Sequence, residues 1–239
     1  MIYPRIIAHR CGGALAPENT LAGLRLAARL GCGGVEFDAM LAADGVPVLM
    51  HDETLERTTT DAGRTADMSS AQLARLDAGS RYHPAFAAEP VPTLDEALRL
   101  CAALGLWANV EIKPASGLEA ETGQVVARHA ASATGKILLS SFSSVALRAA
   151  ADEAVQLPRA MLFEAIPADW RDRIMETGSR ALHSSACALT TDALQAVRDA
   201  GLPLACYTVN RREDAGRLFA MGVSAVFTDR PDLWASAEM

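Results

Sequence analysis

The sequence lacks any apolar run approaching the ~20 residues a helix needs to cross a bilayer, so stable membrane insertion is not expected. It lacks an excess of positive charge: 22 Lys and Arg stand against 29 Asp and Glu, a net charge of −7. Nucleic acid is therefore not expected as a partner, because neutralising its phosphates needs a basic surface. Paired cysteines are also missing. Cys11, Cys32, Cys101, Cys187 and Cys206 are odd in number, scattered and never spaced C-x-x-C, which suggests neither a disulfide framework nor a zinc site. The first ten residues show no charged start followed by an apolar stretch and a small-residue cleavage site. A cytoplasmic location is the expectation from both features. No low-complexity tract or interdomain linker interrupts the chain.

What is present is a folded, well-buried chain: half of its 239 residues are apolar and 21% are charged. That length admits one large barrel or two small domains. The pattern decides between them. Ile6-Ile7-Ala8 is a short apolar run leading into a polar, Gly-rich loop and then helical spacing from Thr20 to Leu30. Similar runs follow at Val35–Asp38, Trp107–Ile112, Ile137–Ser141, Ala160–Phe163, Arg180–His183, Leu204–Val209 and Ala225–Thr228, with helical segments between most of them. Eight strands alternating with helices predict parallel βαβ units closed into a single (β/α)₈ TIM barrel spanning residues 1–239.

One strand-like run, Pro47–Met50, follows too soon for a parallel crossover, so it is expected to return antiparallel after a turn at Asp44-Gly45. That geometry brings His51 beside Glu36 and Asp38. The stretch from Asp52 to Pro92 has little periodicity and reads as a cap, making residues 39–92 an insertion after the second barrel strand.

Glu36 and Asp38 lie two apart on one strand, so both side chains share a face, at the C-terminal end where barrel enzymes place their sites. Glu111 ends the next barrel strand in the same way. Three converging carboxylates repel one another unless a cation neutralises them, and an all-oxygen set suits one divalent ion, Mg²⁺ or Ca²⁺. His9 and His51 flank the cluster as an acid and base pair, while Arg10 and Lys113 supply positive charge. Together these groups describe a site for a phosphate ester. Gly12-Gly13 offers backbone N–H groups that could approach the phosphate.

The strings His9-Arg10, Pro17-Glu18-Asn19-Thr20, Glu36-Phe37-Asp38, Val48-Leu49-Met50-His51-Asp52 and Glu111-Ile112-Lys113 resemble the motif set of the glycerophosphodiester phosphodiesterases. Leu139–Phe142, Tyr207–Asn210 and Phe227-Thr228-Asp229 continue the resemblance in order, so that it spans nearly the whole chain. The resemblance implies a phosphodiesterase barrel with a metal on Glu36, Asp38 and Glu111. It also implies proton transfer by His9 and His51, and phosphate contacts from Arg10 and Lys113. Asn19, Phe142 and Tyr207 are implied around the substrate pocket, Asn19 by steadying the first loop. The substrate implied is a small glycerophosphodiester. Cys11 departs from the pattern, which most often has Gly there, and its Cβ is expected to crowd the backbone's approach to phosphate. The remaining residues read as structure. His83, His129 and His183 lack a matching motif, with His183 taken to end its strand. Cys187 and Cys206 read as small buried groups, Trp107, Trp170 and Trp234 as packing residues, and the Leu94-Leu98-Cys101 stripe as core.

Overall fold

A computed structural model describes residues 3–234. The short apolar runs form strands β1 (Ile6–Ala8), β2 (Gly34–Leu41), β3 (Pro47–Leu49), β4 (Trp107–Ile112), β5 (Ile137–Ser141), β6 (Arg159–Phe163), β7 (Ala181–Ser185), β8 (Leu204–Tyr207) and β9 (Ala225–Thr228). The eight strands other than β3 pair in parallel with one another, and β1 pairs with both β2 and β9, closing an eight-stranded parallel barrel. The fold is a (β/α)₈ TIM barrel. β3 runs antiparallel to the upper end of β2, with Ala39 opposite Leu49 and Leu41 opposite Pro47, so β2 rises beyond the barrel and the chain turns back.

The helices are α1 (Leu21–Arg29), α2 (Ser70–Leu73), α3 (Leu94–Leu104), α4 (Glu119–Ser132), α5 (Ser144–Glu153), α6 (Trp170–Thr177), α7 (Thr191–Asp199) and α8 (Arg212–Ala220). Local chemistry fixes their ends. Thr20, Ser143 and Thr190 cap the starts of α1, α5 and α7, and Thr93 with Glu96 forms a capping box on α3. The Leu94, Leu98 and Cys101 stripe of α3 is buried in the main core between helices and barrel.

Two features were hidden from the sequence pattern. Helix α6 carries Arg171, Asp172, Arg173 and Glu176 within eight residues, so its buried stripe of Trp170, Ile174 and Thr177 is outweighed by charge. The cap also has a core of its own. Met40, Ala42, Val48, Met50, Leu55, Leu73, Leu76, Ala78 and Val91 cluster across the hairpin, α2 and adjoining turns, drawn from segments with no common period.

The inward row of the barrel changes character from floor to mouth. At the floor, Ala160, Ala181, Ala205 and Ala225 leave a space that Tyr3 and Trp107 fill, with ring centroids 5.4 Å apart. Strand β7 continues to Ser185, so His183 sits inside the barrel rather than at the strand's end. Cys206 is buried as expected, but Cys187 is exposed, because it falls in the turn just beyond β7.

Candidate active site

Strand ends and the hairpin converge on a cavity of about 260 Å³ at the C-terminal mouth. His9, Arg10, Glu36, Asp38, His51, Glu111 and Lys113 all line it, joined by Phe142 and Tyr207 on one wall and by Asn109, Leu162, His183 and Phe227 deeper in. Across the β2–β4 pair Asp38 is in register with Glu111 and Glu36 with Asn109, so Glu111 lies directly beside Asp38 and diagonal to Glu36.

Glu36, Asp38 and Glu111 each offer an oxygen within 4.8 Å of the others, and all three residues are buried. Burial, reinforced by the charge of Asp38, pushes both Glu36 and Glu111 above the usual carboxylate range. Lys113 relieves part of this repulsion, its Nζ lying 3.1 Å from Glu111 and 3.8 Å from Asp38. Arg10 Nε adds a second cation 3.9 Å from Asp38, but two cations do not balance three buried carboxylates. The all-oxygen donor set therefore fits a hard cation, and these residues could hold a metal ion.

Each histidine is oriented by its own carboxylate. His9 Nδ1 lies 2.7 Å from Asp229 Oδ1, and its Nε2 faces the cluster, 3.9 Å from Glu36. His51 Nδ1 lies 2.5 Å from Asp52, and its Nε2 meets Lys113 Nζ at 2.8 Å. The two environments pull apart. Burial opposes the charged form of both rings, but Asp229 and Glu36 outweigh it and raise the pKa of His9. Around His51, burial together with the charges of Lys113 and Arg10 prevails and lowers it. Two titrating groups driven in opposite directions on either side of one cavity suit an acid and a base.

The first loop reaches this geometry through a strained backbone. Arg10 and Cys11 adopt φ of 48° and 75°, and Asn19 one of 56°, a left-handed region that costs a side-chain-bearing residue about 1–2 kcal/mol. Hydrogen bonds hold them there. Arg10 N donates to Glu36 Oε2 at 2.8 Å, Cys11 N to the Glu36 carbonyl at 2.7 Å and Asn19 N to the Arg10 carbonyl at 3.0 Å. Gly13, at φ 61°, presses so close to Asp229 that a Cβ would lie 2.5 Å from the Asp229 carbonyl oxygen. This loop thereby locks the strand carrying His9 to the residue that orients it.

The family model described as "Glycerophosphoryl diester phosphodiesterase family" matches residues 9–233. The chain belongs to the glycerophosphoryl diester phosphodiesterase family. Among its relatives is the glycerophosphodiester phosphodiesterase of Caldanaerobacter subterraneus subsp. tengcongensis, 30% identical over 231 residues, covering 95% of this chain and 94% of the relative. The glycerophosphodiester phosphodiesterase of Bacillus subtilis is 32% identical over 95% of this chain and 84% of its own length. A solved structure of an Oleispira antarctica phosphodiesterase, in complex with the product sn-glycerol-3-phosphate, superposes with a TM-score of 0.94. It is 35% identical and covers 98% of this chain and 96% of that one. The protein is thus a phosphoric diester hydrolase of the glycerophosphodiester phosphodiesterase type.

Within this phosphodiesterase site, Asn19 and Cys11 both sit behind the cavity wall. Asn19 is buried and does not line the cavity; its amide clasps Asp38 from both ends, Nδ2 to Oδ2 at 2.9 Å and Asp38 N to Oδ1 at 3.0 Å. It steadies a carboxylate of the cluster as well as the first loop, where its own N–H donates to the Arg10 carbonyl. Cys11 does not crowd the mouth either, because its left-handed backbone turns the side chain into the main core. There it packs so closely on α1 that a Cβ at Gly23 would lie 2.9 Å from Cys11 Cβ.

Phe142 and Tyr207 meet edge-on at 6.1 Å, and Tyr207 is fixed by its hydroxyl donating to the Phe163 carbonyl at 2.8 Å. Asp229 and Asp52 had no assigned role in the sequence reading. Asp229 directly follows the last strand and Asp52 directly follows His51, the positions where an orienting carboxylate can be sought. His129 pairs with Asp95 on the outer face at 2.8 Å, and His83 accepts from Ala85 N in the cap, so neither reaches the cavity. Among the described residues, no helix is long and apolar enough to cross a membrane.

Proposed function

We propose that this phosphodiesterase hydrolyses small glycerophosphodiesters to sn-glycerol 3-phosphate and an alcohol. In this reading one Mg²⁺ or Ca²⁺ is held by Glu36, Asp38 and Glu111, and His9 and His51 carry the protons. The observation that carries it is the meeting, in one small cavity, of two carboxylate-backed imidazoles, three buried acids and two cationic side chains. The Oleispira antarctica structure holds sn-glycerol-3-phosphate as its product, which supports the same product here.

Arg10 and Lys113 bind the non-bridging phosphate oxygens and stabilise the charge that builds on them in the transition state. A bound divalent ion supplies the same neutralisation and a fixed seat for the phosphate. One imidazole removes a proton from the attacking oxygen as the new P–O bond forms, and the other gives a proton to the departing alkoxide as the old P–O bond breaks. Asp229 and Asp52 keep the Nδ1 sides occupied, so that the Nε2 sides act on substrate. The attacking oxygen belongs to water or to the glycerol 2-hydroxyl; in the second case a cyclic phosphate forms first and is then opened.

The test is a panel of glycerophosphocholine, glycerophosphoethanolamine, glycerophosphoglycerol and a lysophospholipid, each with Mg²⁺, Ca²⁺ or EDTA, following glycerol 3-phosphate release. Release from the small diesters that EDTA abolishes is the expected result. Turnover of the lysophospholipid alone, or binding without cleavage under every ion, overturns the proposal. Trapping a cyclic glycerophosphate identifies the internal nucleophile, whereas single-turnover product carrying solvent ¹⁸O without it identifies water.

A further inference from the structure

Arg57, in the cap, is nearly half exposed, yet each nitrogen of its guanidinium donates to a carboxylate. Nη1 and Nη2 grip the two oxygens of Glu18 at 2.6 and 2.8 Å, while Nε donates to Asp52 Oδ2. The two carboxylates arrive from different parts of the chain. Glu18 belongs to the first loop, and its oxygens also accept from Arg10 Nη1 at 3.1 and 3.2 Å. Asp52 follows the hairpin, and its other oxygen holds His51 Nδ1.

We infer that Arg57 is a positioning residue: one cap guanidinium clamps the two carboxylates that aim Arg10 and His51 into the cavity. The inference rests on the functional reading above and adds to it a task for the cap, which is to complete the alignment of the site. An isolated pair at this exposure contributes about 0–1 kcal/mol to stability, so fold stability alone is a weak reason for the arrangement. Its geometry is more informative. Arg10 Nε is buried without a hydrogen-bond partner and lies 3.9 Å from Asp38, so the aim of that guanidinium depends on the grip of Glu18 on Nη1. Asp52 is similarly two-sided. With Arg57 in place, one oxygen is pinned and the other faces His51; without it, the carboxylate can swing into water and release the imidazole. Arg57 is also the largest influence holding Asp52 down to about 2, which keeps it an ionised acceptor. The residue type matters, because three N–H groups in a planar fork can serve two carboxylates at once and an ammonium cannot.

The experiment uses Arg57→Met and Arg57→Lys in the full chain, with saturating divalent ion and glycerophosphocholine. Loss of a group that orients a catalytic group typically costs about 10–100-fold, and that fall is expected in kcat for both variants. KM should stay within about threefold of wild type and the lysine should fail to rescue, since the effect lies in alignment and not in net charge. ¹⁵N spectra of the His51 imidazole provide a readout independent of turnover: the tautomer ratio should shift in both variants while that of His129 does not. A kcat within about twofold of wild type for Arg57→Lys, or an unaltered His51 spectrum, overturns the inference. So does a kcat loss that only tracks a fall in Tm. If the wild type itself cleaves no glycerophosphodiester, the functional reading fails, and the imidazole spectra alone decide whether Arg57 positions His51.

Discussion

The two ends of one barrel interior are built from the same strands and follow opposite rules. Along β4 the inward row runs from Trp107 through Asn109 to Glu111, from apolar floor to charged mouth within five residues. At the floor the polar groups satisfy one another, as where the Tyr3 hydroxyl meets His183 Nε2 at 3.0 Å beneath rings and alanines. At the mouth, three buried acids outnumber the two cations beside them, Lys113 and Arg10, and the backbone of the first loop is strained. The floor supplies burial that stabilises the fold; the mouth keeps charge uncompensated for a cation and a phosphate to complete. A site of this kind needs a rigid base, because its own interactions do not settle until ligand arrives.

The sharpest way to separate the two ends is to remove an imidazole from the mouth. His9→Ala and His51→Ala should each lower kcat on glycerophosphocholine by about 10²–10⁴-fold, while Tm changes little. A p-nitrophenyl ester of glycerol phosphate then divides the pair, since its leaving group needs no proton. The variant lacking the acid should recover most of its loss and the variant lacking the base should not. Equal recovery of both, or of neither, breaks the acid and base assignment. The next largest effect is expected at the other end. Trp107→Ala empties a filled floor and should destabilise by about 3–5 kcal/mol in urea unfolding, with kcat of the remaining folded protein nearly preserved. Loss of catalysis without loss of stability would show that the floor is not an independent base.

These contrasts were unequally visible in the sequence. Glu36, Asp38 and Glu111 could be placed together because the two-residue period of a strand fixes a shared face and barrel strand ends share a mouth. His51 could be added by counting, since too few residues separate β2 from β3 for anything but a hairpin. Asp229 could not be assigned to His9, because the bond that defines its role joins positions 220 apart in sequence. Arg57 was missed for a related reason: its partners belong to two loops whose approach depends on how the cap folds, and the cap's core has no period to read. Cys11 was misplaced because the direction of its side chain depends on a left-handed φ that a cysteine seldom adopts.

His183 tests the boundary between the two ends, since it belongs to the satisfied floor yet lines the base of the cavity. Burial pushes its pKa down to about 3, so the folded protein keeps it neutral where the unfolded chain, titrating near 6.5, takes up a proton. The sign follows directly. Above the unfolded value both states are neutral and the residue adds no pH dependence; as pH falls from 6.5 towards 3, only the unfolded state gains a proton, and stability declines. The rate of decline is about 1.4 kcal/mol per pH unit, so by pH 5 the burial of this imidazole costs about 2 kcal/mol. His183→Gln retains an acceptor for Tyr3 but does not titrate. Its unfolding free energy should match or fall below wild type at pH 7.5 and gain on it steadily as the pH is lowered to 5. A difference between the two proteins that stays constant over that range would mean that water reaches the imidazole from the cavity, and that the mouth extends further into the barrel than the floor's packing implies.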